Sequence, residues 1–121
     1  MKMIKVFGKH LTVDMYGADE KLLSDSKGVF RFLNILPKKI GMRKLADPCV
    51  VVCKSEKYKE SGIAAFVLLY ESHISCHTWP EYRYVSIDVY SCRDFNEEKT
   101  MRYIKKFWKG ERVKVKVSER G

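Results

Sequence analysis

The sequence predicts an α+β fold, a two-layer sandwich in which a mostly antiparallel sheet carries two helices packed on one face. Apolar patterns typical of strands and helices follow one another in the order strand, helix, several strands, helix, strand. The chain has 121 residues, of which 45% are hydrophobic. This length and composition favour a single domain that spans residues 1–121.

The first half of the chain contributes one strand, one helix and two further strands. A strand is predicted in IKVFGKHLTVDMYG, and it ends near Gly17. Asp19 and Glu20 open a helical pattern that Pro37 ends. The short segment CVVVC predicts a strand, and the continuously apolar IAAFVLLY predicts a buried one.

The second half is predicted to form a hairpin, a helix and a last strand. HISCHTW and RYVSIDVYS alternate around a turn at Pro80–Tyr82. Asp94 or Asn96 caps the helix, Gly110 stops it, and ERVKVKVSE alternates as the final strand. The alternation places His73, Ser75, His77 and Trp79 on one side of the hairpin, together with Tyr84, Ser86, Asp88, Tyr90 and Cys92.

Charge and composition argue against several classes of protein. The net charge is +9, but the basic residues are scattered, without a long basic run, so we expect a solvated basic surface and no nucleic-acid partner. No apolar run is long enough to span a bilayer, and the N-terminus lacks a signal-peptide core. We therefore expect a cytoplasmic protein with no membrane association.

The four cysteines give no pattern of a disulfide framework or a metal site. Cys49 and Cys53 lie in a predicted strand, with no second close Cys/His pair to complete a zinc site. We therefore expect Cys49, Cys53 and Cys76 to be small buried residues. Cys92 is set apart by its place on the polar side of the hairpin.

Reactive side chains are concentrated in YESHISCHTWPE, residues 70–81. If the hairpin forms, a histidine, a serine and a cysteine become available on one surface. The same pattern also fits a satisfied polar sheet face, with histidine paired to Asp88 or to a tyrosine. Residue spacing alone leaves both interpretations open.

The motifs ESHISCHTWPE and IDVYSC, with GKHLTVDMYG near the start, closely resemble the pyruvoyl-dependent S-adenosylmethionine decarboxylase family in its short bacterial and archaeal form. The resemblance implies a proenzyme that cuts itself between Glu71 and Ser72, giving a β fragment, 1–71, and an α fragment, 72–121. It implies that Ser72 Oγ attacks the preceding carbonyl and that elimination then leaves a pyruvoyl group, the covalent cofactor, on residue 72.

The resemblance also implies the roles of individual residues. His77 assists self-cleavage, and Cys92 is the acid that returns a proton to the substrate after the pyruvoyl Schiff base has lost CO₂. Glu81 binds the ribose hydroxyls, and we expect Tyr58 and Trp79 to contact the substrate as well. A homodimer of αβ units is implied, in a pathway leading to spermidine.

Several departures from the family pattern leave the substrate open. Ala64, in GIAA, stands where the family carries a serine that assists cleavage, and Tyr58 is the only aromatic in a loop that usually supplies Phe and His around the adenine. Arg83 and Arg93 replace glycines. The alternatives are an arginine or ornithine decarboxylase of the same family and an unprocessed, non-catalytic paralogue.

Two acidic residues bear on the first alternative. Glu56 and Glu60 lie in the same loop and are able to meet a guanidinium or ammonium group, but we favour a solvated loop as their explanation.

Overall fold

A computed structural model describes residues 7–54, 56 and 62–121. Within these ranges the chain forms β1 (Gly8–Tyr16), α1 (Glu20–Leu23), α2 (Ser26–Lys39), β2 (Cys49–Cys53), β3 (Gly62–Leu69), β4 (Ser72–Trp79), β5 (Tyr84–Ser91), α3 (Glu97–Trp108) and β6 (Arg112–Arg120). The strands form one sheet in the order β2-β3-β4-β5-β1-β6. Every neighbouring pair is antiparallel, which confirms the predicted α+β fold.

The helices pack on one side of the sheet and enclose the core. Trp108 and Ile104 of α3 are fully buried, as are Phe32 and Leu33 of α2. The Phe32 ring meets Trp108 edge-on, with 5.3 Å between the ring centroids. Alternate residues of the strands form the sheet side of this core, among them Leu11, Val13, Val67, Ile74, Cys76, Ile87 and Val89.

The first helical region differs from its prediction because it is divided into two helices. α1 ends at Ser24, and α2 restarts after Asp25, whose carboxylate lies so close to Gly28 that a Cβ there would come within 2.6 Å of it. Pro37 lies inside the last turn of α2 and does not end it. One backbone hydrogen bond is lost at the proline, but Ile40 N still donates to Leu36 O at 3.2 Å.

The other side of the sheet, called the open face below, carries no helix from the described ranges. It presents His73, Ser75, His77 and Trp79 of β4 and Tyr84, Ser86, Asp88 and Tyr90 of β5, as the alternation predicts. β3 was expected to be buried on both sides, but Phe66 and Leu68 are 44% and 47% exposed on the open face. Half of this apolar strand is therefore not covered by any helix among the residues that the structure describes.

The cysteines divide between core and surface. Cys76 is fully buried, and burial raises the pKa of its thiol. Cys49 and Cys53 are exposed, so the prediction that they are buried is wrong. The reason is the register of the edge strand β2 with β3, which places Cys49 opposite Phe66 and Cys53 opposite Gly62, on the open face.

Candidate active site

The backbone is strained at the Glu71–Ser72 bond. Leu69 of β3 pairs with Ser72 of β4, so the chain reverses direction over only two residues, Tyr70 and Glu71. Glu71 has a φ of +59°, in the left-handed region that side chains disfavour. Such a conformation costs on the order of 1–3 kcal/mol and is often found at functional sites.

Ser72 and Cys92 meet at this turn, although 20 residues separate them in the sequence. Because β4 and β5 are antiparallel neighbours, the start of β4 lies beside the end of β5. The backbone N–H of Cys92 donates to Ser72 Oγ at 3.1 Å, and Cys92 Sγ lies 3.8 Å from the same oxygen. Glu71 Oε2 lies 3.5 Å from Cys92 Sγ. The structure thus brings together Glu71, Ser72 and Cys92, three of the residues predicted from sequence.

His77 lies away from this group within one chain. It is five positions along β4 from Ser72, which corresponds to about 16 Å in an extended strand. His77 is exposed on the open face, opposite Ala64 of β3 and Ser86 of β5. The histidine next to Ser72 in sequence, His73, instead packs on Tyr90 with 5.5 Å between ring centroids.

An aromatic row crosses the sheet at the His77 end. Trp79, Tyr84, Tyr16 and Arg112 are paired in register across four strands. The Trp79–Tyr84 and Tyr16–Tyr84 ring centroids are each 5.1 Å apart, and the Arg112 guanidinium lies 4.6 Å above Tyr16. Burial and a 2.5 Å hydrogen bond to Asp14 raise the pKa of Tyr84, so its phenol remains protonated. The row is a continuous stack that includes the predicted substrate contact Trp79.

The remaining predicted substrate contacts are placed only in part. Glu81 is exposed in the 3₁₀ turn Pro80–Tyr82 that follows Trp79. Tyr58 and Glu60 lie outside the described residues, and Glu56 is exposed. Glu81 therefore belongs to the His77 end of the hairpin.

The sequence also allowed a simpler interpretation, in which a histidine pairs with Asp88, and such a pair is present. Asp88 Oδ1 lies 3.0 Å from His10 Nε2, and Ser75 Oγ lies 3.5 Å from the second Asp88 oxygen. The histidine that pairs with Asp88 comes from β1 and not from the hairpin. This pairing does not involve His77, which keeps its exposed position.

Arg83, one of the departures from the family pattern, has a structural explanation. Its φ is +49°, a left-handed conformation that glycine adopts more easily. Its guanidinium donates to Ala18 O at 3.0 Å and to Gly17 O at 3.2 Å. The side chain therefore links the turn Pro80–Tyr82 to the turn that follows β1.

Sequence reasoning missed Lys9, which is only 7% exposed. Its ammonium lies 2.8 Å from Asp94 Oδ1, 2.8 Å from Phe95 O and 2.8 Å from Glu97 Oε1. Burial alone would lower the pKa of Lys9, but the hydrogen bonds to Asp94 and Glu97 outweigh it and raise that pKa. The alternation of GKHLTVDMY already places Lys9 on the same side as Leu11, which was the available signal.

Metal-ligating side chains do not cluster in groups of three or more among the residues described. In the same ranges, the helices are too short or too polar to cross a membrane.

Comparison with known proteins identifies the family. A family model described as S-adenosylmethionine decarboxylase matches residues 9–121. The chain belongs to this family. An S-adenosylmethionine decarboxylase proenzyme from Persephonella marina is 38% identical, with 98% of this chain and 86% of the relative covered. The proenzyme from Methanococcus maripaludis strain C5 is 32% identical, with 98% of this chain and 93% of the relative covered.

A solved structure shares the fold as well. The crystal structure of the adenosylmethionine decarboxylase from Aquifex aeolicus superimposes with a TM-score of 0.81 at 29% identity, and 98% of this chain and 93% of that chain are covered. The resemblance read from the sequence motifs is confirmed, and with it a pyruvoyl-dependent carboxy-lyase of polyamine biosynthesis. The relatives support S-adenosylmethionine as the substrate over the alternatives of arginine or ornithine.

Proposed function

We propose that this chain is a proenzyme that cleaves its own Glu71–Ser72 bond and then decarboxylates S-adenosylmethionine. The observation that carries the proposal is the position of Ser72 Oγ. Cys92 N–H holds this oxygen at 3.1 Å, directly after a residue with a φ of +59°. A nucleophile is thereby fixed beside a strained peptide bond.

Self-cleavage proceeds in two stages on these atoms. Ser72 Oγ bonds to the Glu71 carbonyl carbon as the C–N bond breaks, so that an ester replaces the amide. Loss of the Ser72 Cα proton then breaks the ester C–O bond, and Glu71 leaves as a carboxylate. Water converts the dehydrated residue to a pyruvoyl group and releases ammonia. A base must accept the protons, and by family resemblance that base is His77.

The residues around Ser72 fit a pyruvoyl group at this position, because Ser72 begins β4 and would become the new N-terminus. When present, this group supplies the electron-withdrawing ketone that allows the substrate carboxylate to leave as CO₂. The chain then has to return a proton to the substrate α-carbon. Cys92 Sγ, 3.8 Å from Ser72 Oγ, is placed to donate it, and a thiol readily gives up and regains a proton near neutral pH.

The distance between the two ends of β4 supports a homodimer. In one chain His77 lies about 16 Å from Ser72, so it does not reach the bond that it is expected to help cleave. A two-fold axis that lies above the open face, parallel to the sheet and perpendicular to β4 at its middle, would bring the His77 end of a second copy over the Ser72 end of the first. The same contact covers Phe66 and Leu68, which are 44% and 47% exposed.

One gel with mass spectrometry tests the self-cleavage. We expect fragments 1–71 and 72–121, with the second blocked by pyruvoyl at its N-terminus, and a Ser72→Ala chain that stays whole. Release of CO₂ from labelled S-adenosylmethionine, but not from arginine or ornithine, completes the test. A wild-type chain that remains intact after long incubation would identify the non-catalytic paralogue instead.

A matched pair of surface variants tests the dimer. Leu68→Asp introduces a charge on the open face, whereas Val117→Asp changes a residue of similar exposure, 43%, on the helix side of β6. Sedimentation should show that Leu68→Asp alone gives monomers, and those monomers should remain uncut. Equal association of both variants would exclude the open face as the interface. A cytoplasmic location stays a prediction.

A further inference from the structure

Lys9 is the charged residue of β1 that points into the helix-covered side of the sheet. An ammonium group has three N–H donors, and the Lys9 ammonium has three oxygen partners at 2.8 Å, on Asp94, Phe95 and Glu97. The ammonium also lies 4.6 Å from the centre of the Phe95 ring. Asp94 and Phe95 belong to the connection between β5 and α3, and Glu97 is the first residue of α3.

The same connection carries Cys92. Lys9 pairs in register with Ser91, the last residue of β5. Ser91 Oγ accepts a hydrogen bond from the N–H of Arg93 at 2.9 Å, which holds the start of the connection. Lys9 holds the part further along the chain through Asp94, Phe95 and Glu97. Between these two points, Cys92 N–H and Sγ face Ser72 Oγ.

We propose that Lys9 is a positioning residue, which holds the segment 92–97 so that Cys92 stays beside Ser72. The inference rests on the proposed function for its catalytic meaning, although the placement of Cys92 is measurable without activity. The acidic partners keep Lys9 cationic despite its burial. Without this cation the segment loses three contacts at once, and the Cys92 thiol is free to move away from the turn.

Thiol labelling measures this placement directly. In a Cys49→Ser, Cys53→Ser, Ser72→Ala background the chain stays uncut, and Cys92 is the remaining thiol that is not buried. We expect Lys9→Met to speed alkylation of Cys92 by iodoacetamide by about tenfold, because local opening exposes the thiol. Lys9→Arg should restore slow labelling, since a guanidinium keeps the charge and the donors.

A matched control separates positioning from general loss of stability. Thr78 is also a buried polar residue, 3% exposed, and its hydroxyl joins Leu23 O at 2.7 Å and Ile63 N at 3.0 Å, near the opposite end of β4. Thr78→Val should leave the labelling rate of Cys92 unchanged. Equal acceleration by Thr78→Val and Lys9→Met would overturn the proposal.

The cleavable chain supplies the second readout. Lys9→Met should slow self-cleavage by roughly tenfold to a hundredfold, the usual effect of a misplaced reacting group, and Lys9→Arg should recover most of the rate. If wild type is never cut, the proposed function fails, while the labelling result still decides the role of Lys9. If Lys9→Met does not fold, Asp94→Asn replaces it, because that side chain is 82% exposed. Labelling of a folded Lys9→Met or Asp94→Asn chain at the wild-type rate would refute the positioning role.

Discussion

The two ends of the β4–β5 hairpin are built in different ways. At one end, Ser72, Glu71 and Cys92 contact one another within 3.8 Å in a single chain. At the other end, His77 is exposed and is followed by the stacked aromatic row that begins at Trp79. The first end holds the bond that we propose is cut, whereas the second holds the groups expected to assist cleavage and to bind the nucleoside.

In the proposed dimer, each chain would supply one half of two sites. A two-residue turn between β3 and β4 is sufficient to strain a peptide bond, and neighbouring strands bring the nucleophile and thiol together. A strand cannot fold back on itself, so residues five positions apart on it remain far apart. The proposed second copy, with its strands reversed by a two-fold axis, would combine the two ends.

The largest effect is expected for His77→Asn, which removes the expected base. Self-cleavage should slow by roughly a hundredfold or more, the usual contribution of a general base. Co-expression with a Ser72→Ala chain should restore it, because the intact His77 of one chain meets the intact Ser72 of the other. The measurement is a gel in which only the His77→Asn chain carries a tag.

His73→Asn is the matched control on the same strand. His73 stacks on Tyr90 and is adjacent to Ser72 in sequence, so it is the residue that would act if cleavage needed only one chain. Loss of cleavage in His73→Asn with normal cleavage in His77→Asn, or no rescue in mixed dimers, would contradict shared sites.

The second-largest effect is expected for Cys92→Ala. This substitution changes the end of the hairpin at which Glu71, Ser72 and Cys92 meet within one chain. Its backbone N–H still holds Ser72 Oγ, so the chain should still cut itself. Decarboxylation should fall by about a hundredfold because the proton donor is lost, with little change in KM. Steady-state rates on the cleaved chain measure this, and full activity would remove Cys92 from the acid role.

A gain of function is expected for Ala64→Ser. Ala64 stands directly opposite His77 in the register of β3 and β4, so a serine here restores a hydroxyl beside the expected base, as in the family pattern. We expect self-cleavage to quicken by up to about tenfold, the net effect of one hydrogen bond. The time course of fragment appearance measures it, with Ala64→Val as a control that adds bulk without a hydroxyl. Equal rates for both variants would mean that this chain uses another donor.

Much of the fold was predictable because strands alternate. The polar sides of β4 and β5 and the turn at Pro80–Tyr82 follow from the pattern alone. The site was predictable only as a set of residues. The family resemblance implied that Ser72 and His77 act together, but an extended strand separates them within one chain.

The hydrophobic pattern of the sequence did not predict which side chains are exposed. A continuous apolar run such as β3 is typical of a strand covered on both sides, but it does not say whether a helix or a second chain provides the cover. Phe66 and Leu68 were therefore expected in the core of one chain and lie on the open face. Cys49 and Cys53 were expected to be buried for the same reason, and they are exposed on the same face of the edge strand β2.

The smallest effect is expected at Arg83, which joins two turns beside the His77 end. Arg83→Ala keeps the left-handed backbone, with a φ of +49°, and loses the hydrogen bonds to Ala18 O and Gly17 O. We expect the free energy of unfolding to fall by about 1–2 kcal/mol. Arg83→Gly loses the same bonds but relieves the strained backbone, so it should recover about 1 kcal/mol. Urea unfolding measures both, and decarboxylation should stay within about twofold because the bonds hold a turn together and leave the catalytic groups in place. A large rise in KM for both variants would instead place the guanidinium in the substrate site.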